Sequence, residues 1–346
     1  MPFSMFNLTA NMDLQSIVVY PAYHRLVTVV VPDLWDYYHE APTQPDGFLG
    51  DLRMYCMPIS WQELKLPFML AVVWTLLRML MTTQVFKPLA KWGKLREDNI
   101  NKLPESAWRC LCHCITWSLA AYVLLKNYPD IFFRPDTAFK DWKVGKIVPS
   151  DIYLVYAIQG GYYLHRIVDT LFHDIWRTDT IVMSLHHVLS LTLITFSYAS
   201  RYHNIGILVS FFHDFDDIWL EFSKVCVYLK FRNGKKHQNW QTFANICFTI
   251  LTVSWCVMRL YWYPLKVLRN CTPSVARQNA LDIVPFGILF NVMLWILLAM
   301  DIYWFMHIVV VLKKVAMGQM KELDDIRDFD VNKEIEEQPQ KTTKKE

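Results

Sequence analysis

The chain has 346 residues, of which 53% are hydrophobic, 15% aromatic and only 19% charged, a balance that excludes an ordinary soluble domain. Its net charge of +3 at pH 7, with no long basic tract, gives no support for nucleic acid as a partner. What remains is an all-α polytopic membrane protein.

The first 30 residues lack the basic start, compact apolar core and small-residue cleavage site of a secretory signal, so the first membrane span is expected to direct insertion. Apolar runs near the bilayer-crossing length of roughly 20 residues lie at 66–86, 106–125, 151–172, 181–199, 205–228, 243–263 and 284–312. About seven transmembrane helices are expected. The third and fifth runs fit least well: one carries Gln159, His165, Arg166 and Asp169, the other Asp214, Asp216, Asp217 and Glu221. A six-span count is the alternative.

Basic residues set the orientation. Lys87, Lys91, Lys94 and Arg96 follow the first run, Lys224, Lys230, Arg232, Lys235 and Lys236 close the fifth, and Lys313 and Lys314 follow the seventh. These ends are expected to be cytosolic, which makes the amino terminus lumenal and the carboxyl terminus cytosolic. The sequon Asn7-Leu8-Thr9 then lies in the compartment where glycosylation occurs. A second sequon, Asn270-Cys271-Thr272, is expected on the same side but is followed by Pro273, which disfavours its use. Lys140, Lys143 and Lys146 oppose this topology. Five segments are expected: a lumenal segment 1–65, a first span 66–86, a cytosolic linker 87–101, a membrane domain 102–314 and a disordered charged cytosolic tail 315–346.

Eight cysteines form no paired CxxC sets, and Cys110, Cys112 and Cys114 fall inside a span, where they read as packing rather than a zinc site. The chemistry lies in two other stretches. At 100° per residue, Asp179, His186, Ser190 and Ser197 share one stripe of the fourth span, with His187 to one side. In the fifth span Gly206, Ser210, His213, Asp214, Asp217, Glu221 and Lys224 share an arc, with Asp216 outside it. A carboxylate at the bilayer centre costs about 2.5 to 3.5 kcal/mol on insertion scales, so these groups need partners, and the histidines of the fourth span are the expected ones. The plain alternative is that the polar groups bind helices together. An imidazole beside a carboxylate can also move a proton near neutral pH or attack an activated carbonyl. That chemistry suits acyl transfer. A His/Asp metal site is the competing reading, but repeated HxxHH boxes are absent, and no metal is expected.

In order and spacing, Asp179, His186-His187, Phe196-Ser197-Tyr198, Gly206-Ile207-Leu208 and His213-Asp214-x-x-Asp217-x-x-Leu220-Glu221-x-x-Lys224 resemble the Lag1 motif of ceramide synthases, within a TLC domain. The resemblance extends to Lys87-Pro88-Leu89-Ala90, to 102–108, to Arg259-Leu260 with Pro264 and to Ile302-Tyr303-Trp304, in a form without a homeobox-like insert. It implies an N-acyltransferase of the endoplasmic reticulum membrane that joins a fatty acyl-CoA to a sphingoid long-chain base. It also implies a six-helix barrel with the first span outside. CoA enters as a substrate, no cofactor is implied, and membrane lipids and a homo- or heterodimer with family members are the further partners. By the family's mechanism one histidine of the pair accepts the acyl chain, a role the helical stripe favours for His186 over His187; His187 or His213 then handles protons, and Asp214 and Asp217 orient imidazoles. Asp179, Ser190, Ser197, Tyr198 and Glu221 support the site, with Ser197 and Tyr198 either as donors to the acyl oxygen or, equally, as helix-packing residues. The CoA mouth is expected at Arg177, Lys224, Lys230 and Arg232, and Arg259 in a structural ion pair.

The chain departs from the family at Trp176-Arg177-Thr178, at Asp216, near Arg201 and Asn204, and at Asp301, where a histidine is common. The competing function is a non-catalytic TLC-type protein that holds or senses lipid, or associates with the translocon. The intact His and Asp stripe opposes it, because holding lipid requires no nucleophile.

Overall fold

The computed structural model describes residues 26–40, 47–56, 59–174, 177, 179–272, 275–276, 280 and 285–317. Asn7 and nearly all of the tail lie outside the described residues. A π-helical turn, Leu26–Val30, leads into α1, Val31–Glu40, and then α2, Gly47–Tyr55. Next come α3 (Trp61–Leu80), α4 (Lys87–Trp92), α5 (Glu97–Tyr122), α6 (Pro129–Phe133), α7 (Ser150–Phe172), α8 (Thr180–Ala199), α9 (His203–Leu229), α10 (Gln238–Trp255) and α11 (Gly287–Ala316).

Seven of these helices, α3, α5 and α7 to α11, have at least 18 residues, and five satisfy both the length and the apolarity of a membrane span. The two that do not are α7 and α9, the helices that carry charge. Their position explains the exception. Among the described residues α5, α7, α8, α11, α10 with its extension, and α9 pack in a closed ring, while α3 lies outside it against α7. Gln159, His165, Arg166 and Asp169 of α7, and His213, Asp214, Asp216, Glu221 and Lys224 of α9, are buried within this polytopic membrane protein. Leu76, Leu80, Leu185, Val188, Ile302 and Met306 remain exposed, as a lipid-facing surface requires.

The stretch read as a linker, 87–101, is mostly helical: π-helical turns Met81–Phe86 join α3 to α4, and α5 begins at Glu97. A single short hairpin interrupts the all-α architecture among the described residues: β1 (Phe231–Arg232) pairs antiparallel with β2 (Lys235–Lys236) around Gly234 at φ 68°. Asn233 and Gly234, both at positive φ, suit a tight turn of this kind.

Local chemistry shapes the packing. Ser60 and Glu63 form a capping box at the start of α3. Pro67 has no N–H to give the Glu63 carbonyl, and that carbonyl accepts instead from Tyr153 Oη of α7 at 2.9 Å. Gly161 permits the close approach: a Cβ there would lie 2.8 Å from Leu70 Cβ and 2.9 Å from Pro67 O. The extension of α10, Cys256–Leu268, is π-helical and contains Pro264. Arg269 N reaches Pro264 O at 3.1 Å, a wider turn than the α ladder, whose geometry proline opposes. Asn270 and Thr272 are each 1% exposed, so the second sequon is closed off within the described fold.

Candidate active site

Two cavities meet inside the ring. The wider one, about 220 Å³, lies toward the end where α9 finishes and α8 begins, and has a charged rim formed by Arg109, Arg166, Asp179, Glu221 and Lys224. The narrower, about 60 Å³, runs toward the start of α9 between apolar side chains such as Leu193, Val209, Phe290 and Leu297. Tyr163 and His186 line both. Of these two only His186 offers a nucleophilic nitrogen.

The polar stripe of α8 faces inward along its length. Asp179, His186 and His187 border the wide cavity, and Ser190 and Ser197 the narrow one. His186 packs edge-on to Trp304 at 5.2 Å. Its Nδ1 is buried without a hydrogen-bond partner among the described residues, as are both nitrogens of His187. The arc of α9 divides in the same way, with Gly206, Ser210 and His213 on the narrow cavity and Asp217, Glu221 and Lys224 on the wide one.

The carboxylates do not pair with the histidines of α8, contrary to expectation. Asp214 accepts from His113 Nδ1 at 3.2 Å and from Gln159 Nε2 at 2.5 Å. Asp217 accepts from Arg259 at 2.6 Å, and its other oxygen lies 4.0 Å from His113 Nε2. His213 sits with Nδ1 2.9 Å from Val209 O and Nε2 3.1 Å from Asp301 Oδ2. Arg259 donates to Asp301 at 3.0 Å and to the His213 carbonyl at 2.9 Å. Asp216 approaches Arg259 Nε at 3.2 Å without hydrogen-bond geometry, so that contact is electrostatic. Arg259 is thus the ion-pair anchor expected, and it serves the two extra carboxylates, Asp216 and Asp301, together with Asp217.

A second network sits at the wide mouth. Arg109 contacts Glu105 at 2.5 Å and Asp174 at 2.6 Å, and Arg166 reaches Asp174 at 3.1 Å. Arg78 of α3 joins it through Asp169 and through Asp174 at 2.8 Å. Asp174, in the connection between α7 and α8, shows the result: burial raises its carboxyl pKa, but Arg109, Arg166 and Arg78 hold it well below the ordinary value.

Several expected site residues lie elsewhere. Tyr198 donates to Glu63 at 2.7 Å and Ser197 pairs with Tyr156 Oη at 3.0 Å. At 1.5 Å per residue both are more than about 15 Å along α8 from His186, too far for either to act on a group held there. Ser197 belongs instead to the far end of the narrow cavity, where a side chain at Gly206 would collide with Tyr156 Oη. Lys230 and Arg232 line neither cavity; Lys230 stacks near Phe231 and Arg232 on Trp240. Arg177 binds Glu105 at 2.7 Å, behind the rim, and Lys224 is the basic candidate that lines the cavity, paired with Glu221 at 2.6 Å.

Sequence reasoning missed Arg109 and His113 on α5, Tyr162 and Tyr163 on α7, and the part played by Asp301. The signal for His113 was a histidine inside an apolar run, the same feature used for His186. Among the described residues, donor atoms of His113, Asp214 and Asp217 come within 4.8 Å of one another. The histidine faces the two carboxylates through opposite nitrogens, and Arg259 already occupies Asp217. With Asp214 also accepting from Gln159, the group forms a polar chain from Gln159 through His113 toward Arg259.

Comparison with known proteins gives the same direction. The TLC domain family matches residues 102–310. The chain is 43% identical over 282 residues to Ceramide synthase 1 of Homo sapiens, covering 82% of this chain and 80% of that protein. It is 44% identical over 268 residues to Ceramide synthase 1 of Mus musculus, covering 78% and 76%. It is 27% identical over 290 residues to Ceramide synthase 1 LOH3 of Arabidopsis thaliana, covering 77% and 90%. A domain match over most of the chain and this identity over most of its length make the protein a member of the TLC-domain ceramide synthase family.

Proposed function

We propose that this ceramide synthase moves a fatty acyl group from acyl-CoA to the amine of a sphingoid base through an acyl-imidazole on His186. The observation that carries this reading is the position of His186 at the junction of the two cavities. A thioester whose tail fills the narrow apolar cavity, and whose CoA stays at the charged rim, brings its carbonyl to that junction. CoA cannot enter lipid, and Arg109, Arg166 and Lys224 supply positive charge for its phosphates.

The steps balance. An imidazole nitrogen of His186 attacks the thioester carbonyl, the C–S bond breaks, and the imidazole proton passes to sulfur to release CoA as the thiol. The free amine then attacks the acyl-imidazole. The amide C–N bond forms, the carbonyl–imidazole bond breaks, and an amine proton returns to His186. His187, which lines only the wide cavity and has no hydrogen-bond partner among the described residues, packs beside the junction. No resident cofactor is required.

The protein is placed in the endoplasmic reticulum membrane, with the wide mouth at the cytosolic face, where acyl-CoA is encountered. The support is the basic character of that end, which carries Lys235 and Lys236 after α9 and Lys313 and Lys314 in the last turn of α11.

The test is incubation of purified protein with acyl-CoAs and sphinganine, with intact-mass analysis of the protein and mass spectrometry of the lipids. Wild type should gain an acyl mass from acyl-CoA alone and produce N-acylated base. His186→Gln should do neither, and His187→Gln should retain the adduct. An adduct on His186→Gln would refute the assignment.

A further inference from the structure

The sphingoid amine reaches the site as an ammonium ion and must lose a proton before it can attack. Sequence reasoning gave the proton to His187 or His213. The geometry opposes His213, because both its nitrogens are occupied, Nδ1 by the Val209 carbonyl and Nε2 by Asp301. Nδ1 faces a carbonyl and Nε2 a carboxylate that Arg259 also holds. Neither nitrogen is open to a substrate.

His113 also has partners at both nitrogens, but the partner of its Nε2 is a hydroxyl, which can turn its proton away, rather than a carboxylate already held by Arg259. Its Nδ1 meets Asp214, which is fixed on its other side by Gln159. The carboxylate accepts, so the ring proton belongs on Nδ1 and the lone pair on Nε2. That nitrogen meets Tyr162 Oη at 3.2 Å and lies 4.0 Å from Asp217 Oδ2. His113, Tyr162 and Asp217 all line the wide cavity with His186. Two acceptors 4.0 Å apart are both within reach of one ammonium nitrogen making hydrogen bonds of about 2.8 Å.

Resting on the acyl-histidine reading above, we infer that His113 Nε2 and Asp217 Oδ2 form the subsite for the substrate's primary ammonium, that His113 is the base that takes its proton, and that Asp214 is the residue positioning His113. Asp217 holds the ammonium by charge. A proton moves from the ammonium nitrogen to His113 Nε2, which leaves a free amine facing the acyl group on His186. Product formation leaves one proton on His113, to be released through the wide mouth before the next cycle. The groups facing His113 are Asp214, Asp217 and Glu221 of α9, Tyr162 and Arg166 of α7, and Arg109 of its own helix; Arg259 acts through Asp217. The charged groups in contact with the ring are the carboxylates of Asp214 and Asp217, at 3.2 and 4.0 Å, as a subsite for a cation requires.

The experiment separates the half-reactions in wild type, His113→Gln and Asp214→Asn. Acyl-enzyme formation from acyl-CoA is followed by intact mass, and transfer to sphinganine is followed from pH 6 to 10. Both variants should form acyl-enzyme at the wild-type rate. Transfer at pH 7 should fall about a hundredfold or more, the usual contribution of a general base, and should recover as pH rises and free amine forms. Hydroxylamine, unprotonated at neutral pH, should discharge the acyl-enzyme of His113→Gln as fast as that of wild type.

Transfer by His113→Gln at the wild-type rate at pH 7 would overturn the assignment. Equal loss of both half-reactions with no recovery at high pH would also overturn it, since a purely structural role predicts that pattern. Asp214→Asn provides a second reading if the first variant folds poorly. If wild type makes product without an acyl adduct, the acyl-histidine reading fails, and the pH dependence of kcat/KM for sphinganine still decides the role of His113.

Discussion

Nε2 of His213 lies 3.1 Å from Oδ2 of Asp301, joining α9 to α11 across 88 positions of sequence. Arg259 binds the other oxygen of the same carboxylate at 3.0 Å. Asp301 is fully buried, so its removal leaves an imidazole and a guanidinium facing each other without their shared anion. Breaking a buried pair of this kind costs about 3 to 5 kcal/mol. Asp301→Ala should therefore lower the thermal midpoint of detergent-solubilised protein far more than Asp301→Asn, which keeps an acceptor.

The contact between α3 and α7 depends on Gly161. A Cβ there meets Leu70 and the backbone of Pro67, which cannot rotate away as a side-chain tip can. Overpacking of this kind costs about 1 to 3 kcal/mol. Gly161→Val should release α3 from the ring, seen as faster proteolysis between α2 and α5, while Gly160→Ala, whose added Cβ would have its nearest neighbour 3.8 Å away, should not.

Asp174 links α3 to the wide mouth, and its pKa fixes the pH range of that link. Burial alone would raise it, but Arg109, Arg166 and Arg78 depress it. A depressed folded pKa gives stability that is complete above the unfolded value of about 3.9 and is lost as pH falls through the folded value. The stability difference between wild type and Asp174→Asn should stay constant from about pH 8 to 5 and shrink only below about pH 4. Thermal unfolding across that range tests this, and a difference that shrinks between pH 7 and 5 would contradict it.

Lys224 lines the wide cavity and Lys230 does not. Loss of one charge-assisted contact corresponds to about tenfold in affinity. Lys224→Ala should raise the KM for acyl-CoA by about that factor without changing the KM for sphinganine. Lys230→Ala and Arg232→Ala should leave both unchanged. Steady-state kinetics with each substrate varied in turn distinguishes these outcomes.

Much of the site was legible because one helix face carries it. The fixed advance of 100° per residue puts Asp179, His186, Ser190 and Ser197 on one stripe, and the structure has all four lining a cavity. The same periodicity says nothing of depth along the axis, and for that reason Ser197 and Tyr198 looked like neighbours of the reacting carbonyl. Lys230 and Arg232 looked like mouth residues because they follow Lys224 in sequence. Lys230 instead caps the end of α9 and Arg232 lies in β1, and neither lines a cavity.

Apolar runs, their length and the basic residues beside them determined that this chain is an all-α membrane protein, because a bilayer imposes one solution on each segment separately. The spacing of the His and Asp residues likewise determined the family and the inward faces of α8 and α9. Partner choice among buried charges was decided only by the tertiary structure. Asp214 meets His113 rather than His186, and Asp217 and Asp301 share Arg259. Such pairings join helices some 40 to 100 residues apart, and they depend on the order of helices around the ring and the height of each side chain along its axis, neither of which a helical period contains.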